Sequence, residues 1–191
     1  MTDITRIMKE RHPAKEANQI AFKVFTLISD DVSKFLLVGS LGRKEKTVGD
    51  IDILVIPTSI AVIRNKLRRI GRWKKGGERQ MSVEGIFNSP FDLDLFLCHP
   101  PAQWGVLQAV RLNPIPLVLY GKQILDEAGY TRGGGALSLD DVPIQVPTEE
   151  DWFKLVGIPY VPPKERWDLV AEIKNNGSKI MADILAKRAS L

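Results

Sequence analysis

At 191 residues, with 44% hydrophobic and 26% charged residues, the chain has the size and balance of one globular domain or two small lobes sharing an interface. No run approaches the ~18–20 apolar residues of a membrane span, residues 1–6 lack the apolar core of a signal peptide, and a single cysteine, Cys98, excludes an intrachain disulfide. The net charge of +4 is modest but unevenly spread: Arg64, Lys66, Arg68, Arg69, Arg72, Lys74, Lys75 and Arg79 fall within sixteen residues against Glu78 alone, a density that attracts polyanions or else forms a solvated helix and loop.

In chain order, apolar residues at Ala17, Ile20, Ala21, Val24, Leu27 and Ile28 predict a helix over 14–29. Residues 34–39 read as a short apolar strand, and 40–49 as a polar, glycine-bearing loop with room for one helical turn. Residues 50–56 alternate, with Asp50, Asp52 and Leu54 on one face and Ile51, Ile53 and Val55 on the other, until Pro57. Thr58-Ser59 caps a helix to about residue 70, and 71–77 reads as a basic turn region. Strands follow over 79–87 and 91–98, joined by Asn-Ser-Pro. In the second, Phe91, Leu93, Leu95 and Leu97 share one face, and Asp92, Asp94 and Phe96 the other. Two carboxylates on one face of an apolar strand are costly without cations.

A helix over 102–111 runs into Asn113-Pro-Ile-Pro116, the expected boundary between a lobe of residues 1–113 and a second of residues 114–191. In the second lobe, 117–129 reads as helical and Gly133–Gly135 as a flexible turn. Thr148-Glu-Glu-Asp151 reads as a capping-box helix start that stops at Gly157. Pro159, Pro162 and Pro163 impose an extended segment, and a last helix over 164–187 is weakened at Asn175-Asn-Gly177. Trp152 and Trp167 are expected to pack this lobe.

The chemistry concentrates in two places. Gly39-Ser40 closes one strand with a turn that suits a phosphate: Gly39 admits the backbone closely and Ser40 offers a hydroxyl. Arg43 can reach the same phosphates with a bidentate fork, and Gly49 turns the chain before the acidic strand or merely ends a loop. Asp50 and Asp52 point to one side, and Asp94 joins them if its strand lies beside theirs. Three carboxylates so arranged suit two Mg²⁺ ions, with Mn²⁺ as a substitute, which together serve phosphoryl transfer. In the bland alternative Asp50 is a turn residue and Asp52 a strand-end charge, which leaves the Gly-Ser turn and the second acidic strand unexplained.

Gly39-Ser40, Arg43 and Gly49-Asp-Ile-Asp52 resemble the nucleotidyltransferase signature of the polymerase beta superfamily, and Phe91-Asp-Leu-Asp-Leu-Phe-Leu97 resembles its third-carboxylate strand. Lys75-Gly-Gly-Glu-Arg-Gln80, Gly105-Val-Leu107 and Thr148 to Arg166 are similar to further segments of family X DNA polymerases, so that the likeness spans about residues 15–167. The resemblance implies an α+β fold: a nucleotidyltransferase palm, a mixed sheet with helices on one face, and a small α/β thumb-like C-terminal lobe carrying an extra helix. It implies a DNA-directed DNA polymerase of gap-filling or repair type, acting on a DNA primer-template or gapped DNA with deoxynucleoside triphosphates. Asp50, Asp52 and Asp94 would be the catalytic metal ligands, with Gly39, Ser40, Arg43 and Gly49 holding the triphosphate. The expected form is minimal and monomeric, without lyase or helix-hairpin-helix domains, and intracellular (cytoplasm or nucleoid, or a host compartment for a viral chain). Arg68, Arg69, Lys74 and Lys75 would then supply much of the DNA grip. Template-independent transfer, or transfer to an RNA end, a small molecule or a protein, is the alternative function. Two departures stand out: Asp92 replaces the family's usual Arg two residues before the third carboxylate, and Gln108-Ala-Val-Arg-Leu112 lacks the aromatic bulk that usually packs under the sugar. Weak discrimination against ribonucleotides is the expectation from the second.

Overall fold

The computed structural model describes residues 9–189; the polar start at residues 1–6 lies outside them. The chain opens with β1 (His12–Pro13) and α1 (Ala14–Ile28), then β2 (Val32–Val38), a single helical turn α2 (Gly39–Gly42), β3 (Thr47–Val48) and β4 (Asp50–Pro57). Helix α3 (Ile60–Leu67) leads to β5 (Arg72–Gly76), β6 (Gln80–Glu84) and β7 (Asp92–Leu97). The rest comprises α4 (Trp104–Leu112), α5 (Ile115–Glu127), β8 (Tyr130–Gly133), β9 (Ala136–Leu139), β10 (Val142–Pro143), α6 (Glu149–Val156) and α7 (Arg166–Ala189). The fold is α+β.

A five-stranded mixed sheet of order β2-β4-β7-β6-β5 organises the first part; only β4 and β7 run parallel. Strand alternation decides its two faces. Ile51, Ile53, Val55, Leu93, Leu95 and Leu97 point to one side, where Ala17, Ala21, Val24 and Ile28 of α1 and Ile63 and Leu67 of α3 cover them completely. Each such burial is worth about 1.5–3 kcal/mol for a large aliphatic side chain. The other face carries Asp50, Asp52, Asp92 and Asp94 at one end. At the other end Leu54 and Phe96 pack with Val38, Cys98, Trp104 and Leu112. Helix α4 therefore sits beside the carboxylates, and its Val106 and Ala109 reach into a separate core with Leu117, Ile124, Trp152, Phe153 and Val156.

Helix α6 starts as expected: the Thr148 hydroxyl accepts from the Asp151 N–H while the Asp151 carboxylate accepts from the Thr148 N–H. Its Glu149 is buried and paired twice with Arg166, at 2.7 and 2.8 Å, and Arg166 also donates to the Val161 carbonyl. The pair joins α6, the proline-rich segment and the start of α7. Cys98 is a buried thiol whose pKa burial pushes up, in keeping with plain packing.

Several expectations need correction. The basic stretch 71–77 is not a turn: β5 is an edge strand, bulged between Trp73 and Lys75, and its exposed cations are a common way to discourage edge pairing. The strand expected over 79–87 stops at Glu84, because Gly85, Phe87 and Asn88 all take positive φ and turn the chain. Residues 130–143 form a three-stranded antiparallel sheet built on two two-residue hairpins, Gly134-Gly135 and Asp140-Asp141, with positive φ throughout. Helix α7 runs unbroken through Asn175-Asn-Gly177. Trp152 is buried as expected, but Trp167 is 48% exposed, since the stripe Arg166, Leu169, Val170, Ile173 faces the core and Trp167 falls off it.

Candidate active site

Strands β4 and β7 pair in parallel with Asp50 opposite Asp92 and Asp52 opposite Asp94. Since side chains alternate, all four carboxylates project from one face as a two-by-two ladder. Asp50, Asp52 and Asp94, singled out in the sequence, are thus brought together. Asp52 is the most enclosed in charge terms: burial first, then the charges of Asp50 and Asp94, push its pKa up to about 7, against the pull of Arg111 and Arg43.

Gly39 lies directly beside this group. Its φ is +59°, and a Cβ there would meet Asp52 Oδ2 at 2.0 Å, so both conformation and space require glycine. Ser40 follows, buried in the one-turn α2, with no side-chain partner among the described residues. Arg43 is half-buried and engaged: its guanidinium holds Glu45 at 2.8 Å and donates to the Leu112 carbonyl at 3.3 Å. A phosphate would share it with Glu45. Gly49 makes no tight turn; its φ is not positive, and a Cβ would meet only ordinary contacts, the nearest being Glu10 O and Lys9 Cβ at 3.6 Å. It lies under the segment that brings Lys9 to the site.

The two strand-β7 carboxylates differ in their partners. Asp92 accepts from the Gly85 N–H at 3.1 Å and pairs with Lys9 at 2.9 Å and Lys74 at 3.4 Å. Burial alone would raise its pKa, but Lys9, the Gly85 N–H and Lys74 together hold it below the ordinary range. Asp94 accepts through one oxygen only, from the Ser82 hydroxyl and from Gln80 Nε2. Asp92 is thus neutralised by the protein, and Asp94 keeps an oxygen for other work. Lys9 also lies 3.6 Å from Asp50; burial would lower its pKa, but Asp92 and Asp50 raise it.

Among the described residues no group of three or more His, Cys, Asp or Glu side chains is arranged to hold a metal ion by itself. Mg²⁺ does not need one, because one or two carboxylates, waters and substrate phosphates commonly make up its shell. Asp50, Asp52 and Asp94 fit that manner of binding: the donors are all oxygen, and their mutual repulsion is what a cation relieves.

Two neighbours of the site were not singled out in the sequence. Arg111, near the end of α4, stacks 3.9 Å from the Phe96 ring centre and interacts electrostatically with Asp52 and Asp94. Burial lowers its pKa more than those carboxylates raise it. Beside it opens a cavity of about 440 Å³ between β7, α4, α5 and the β8–β9 hairpin, lined by Phe96, Leu107, Val110, Arg111, Gly135 and Trp152 among others. Lys9 is the second. No local pattern marks either residue, since a lone cation on a polar segment or at a helix end is ordinary.

The four proposed DNA contacts divide. Arg68 and Arg69 are exposed just past α3, and Arg68 lies 5.1 Å from the ring centre of Trp73, which packs against the first core. Lys74 is drawn to Asp92, and Lys75 donates to Gln80. His99 binds the Glu78 carbonyl at 2.8 Å. No helix among the described residues is long and apolar enough to cross a membrane. No family model matches the chain, and a comparison with curated proteins gives no match.

Proposed function

We propose that the chain is a nucleotidyltransferase, a compact DNA polymerase of the family X kind that adds deoxynucleotides to a primer 3′-hydroxyl. The reading rests on the β4–β7 register, which sets Asp50, Asp52 and Asp94 side by side against the Gly39-Ser40 turn. A strained cluster of like charges beside an open phosphate turn is poorly explained as scaffolding.

Two divalent cations, when bound, would neutralise the cluster and carry the triphosphate. Asp50 and Asp52 would hold them. Asp94, with one oxygen fixed by Ser82 and Gln80, would orient the other towards the primer hydroxyl and draw off its proton. Ser40 and the backbone beside Gly39 would bind phosphate oxygens, and Arg43 would add charge from the Leu112 side. The cavity beyond Phe96 is large enough for a base and sugar.

Primer extension on gapped, nicked, templated and single-stranded DNA, with Mg²⁺ or Mn²⁺, tests the reading. Incorporation is expected on primed substrates, with Asp50→Asn plus Asp52→Asn lowering it at least about 10³-fold while the circular dichroism spectrum is retained. Undiminished activity in that double variant would refute the assignment of these carboxylates.

A further inference from the structure

The segment before α1 passes one end of the carboxylate ladder and is fixed there by its own contacts. His12 and Pro13 pair with Val48 and Thr47 where β1 meets β3. Arg11 holds the Glu45 carboxylate at 2.8 Å and donates to the Thr47 hydroxyl at 3.2 Å and to the Thr47 carbonyl. The His12 ring stands edge-on to Phe91, the residue before Asp92, with ring centres 5.4 Å apart. The chain also runs close over Gly49, the residue before Asp50. These anchors make residues 9–13 a strap that delivers Lys9 to Asp50 and Asp92.

Lys9 Nζ lies 2.9 Å from Asp92 Oδ2 and 3.6 Å from Asp50 Oδ2. The first distance is that of a charge-assisted hydrogen bond, and the second is an ion pair without one. Asp92 is therefore the anchor, and Asp50 is reached from it. Asp92 also has Lys74 and the Gly85 N–H, whereas Lys9 is the one ion-pair partner of Asp50 among the described residues. The ammonium thus stands against a carboxylate that the two-cation reading gives to a divalent ion. A single and a double positive charge within about 4 Å of each other repel strongly even near a protein surface.

Resting on that reading, we propose that Lys9 is a built-in competitor of the divalent ion at Asp50. Its ammonium answers the Asp50 charge until the ion displaces it, and it then stays on Asp92 alone. A lysine suits this role: its stem is flexible, and with nearly half of the side chain in solvent it can pivot about Asp92 while the strap stays in place. Because the strap tethers it, the competing charge is always at hand, unlike a salt cation from the medium. Exposed ion pairs are weak, so the competition sets metal affinity by a severalfold factor and does not close the site. Lys74 provides the control, since it places the same charge on the same carboxylate from β5 and pairs with Asp92 alone among the described acids.

The test is Mn²⁺ binding to the full chain without nucleotide, followed by the paramagnetic resonance of the free ion, with Mg²⁺ measured by displacement. Lys9→Met is expected to bind either ion about threefold to fivefold tighter than the unsubstituted chain. Lys74→Met should gain clearly less, and Lys9→Met should gain nothing when Asp50→Asn is already present. Unchanged or weaker binding in Lys9→Met overturns the proposal. So does an equal gain in Lys74→Met, which would reduce the effect to the general charge of the surface, or a gain that survives Asp50→Asn. The full expected pattern of affinities in a chain that extends no primer would overturn the transfer reading and leave the competition standing. Primer extension by the unsubstituted chain, with Lys9→Met no tighter for either ion, would do the reverse.

Discussion

The carboxylate ladder of β4 and β7 and the Glu149–Arg166 pair of the second core treat buried charge in opposite ways. Glu149 and Arg166 are 1% and 0% exposed, yet every charge is answered: two parallel N–H···O bonds, a third bond to Val161, and the faces of Phe153 and Tyr160 against the guanidinium. Asp50, Asp52 and Asp94 are less enclosed, yet Asp52 is held at a pKa near 7, first by burial and then by the charges of Asp50 and Asp94. Asp92, one step along the same ladder, is treated like Glu149 and given two lysines. The protein can neutralise a carboxylate on this sheet and does so next door. Among the described residues Asp52 has no ion pair, while Asp50 shares Lys9 with Asp92 and Asp94 is answered through one oxygen only, which is the difference the proposed cation site would draw on.

The largest expected effect lies in the second core. Removing one member of a buried ion pair strands the other, at about 3–5 kcal/mol, or a fall in melting temperature of about 6–20 °C for a chain this long. Glu149→Met and Arg166→Met should each show it in thermal unfolding, and the double variant Glu149→Met with Arg166→Met should lose less than the sum of the singles. Additive losses would mean that the two side chains act independently and that the comparison with the ladder is empty.

The ladder should respond in the other direction. Asp52 has a folded pKa of about 7 against an ordinary value of 3.8. Between those values the folded protein holds a proton that the unfolded chain does not, so stability falls as pH rises from about 4 to about 7 and then levels off. The loss attributable to this group is on the order of 2–4 kcal/mol. In melting curves recorded with EDTA, Asp52→Asn should remove this slope and exceed the unsubstituted protein in stability at pH 8. If Mg²⁺ binds there as proposed, it would compete with the same proton, and the stabilisation it brings should grow with pH through about 7. A pH-independent difference between the two proteins would show that Asp52 is not strained by its neighbours.

How much of this contrast is legible in sequence follows from the range of each interaction. Asp50 and Asp52 share a face because alternation is a property of the backbone, and Gly39-Ser40 reads as a turn because glycine reports its own conformation. A second acidic strand suggests that Asp94 joins them, but the residue-by-residue register with β4 needs the folded sheet. The Glu149–Arg166 pair is not legible: seventeen residues separate two charges that each resemble ordinary helix surface. Arg166 takes the first place in an apolar stripe, which displaces Trp167 outward and misleads any reading that buries the aromatic residue. The β8–β10 sheet escapes a sequence reading because its strands are two to four residues long and mostly exposed, with only Leu137 fully inside.

The smallest effect concerns the cations around the ladder, where the comparison can be refined. Lys74 serves Asp92, and Arg68 covers Trp73, so each already has a role within the protein. Arg69 and Lys75 are exposed and less committed. If this edge holds the DNA backbone, replacing all four by Ala should weaken binding of primed duplex. The slope of log K against log salt should flatten by about 1 for each phosphate no longer neutralised. Arg69→Ala with Lys75→Ala should account for most of that change, because among the described residues neither is ion-paired, Lys75 donating only to the neutral Gln80 side chain. Asp92→Asn should act in the opposite sense, releasing Lys74 and Lys9 to the nucleic acid and steepening the slope slightly. A slope unmoved by the quadruple replacement would assign these cations to protecting the edge of β5, leaving the ladder to find its DNA through other residues.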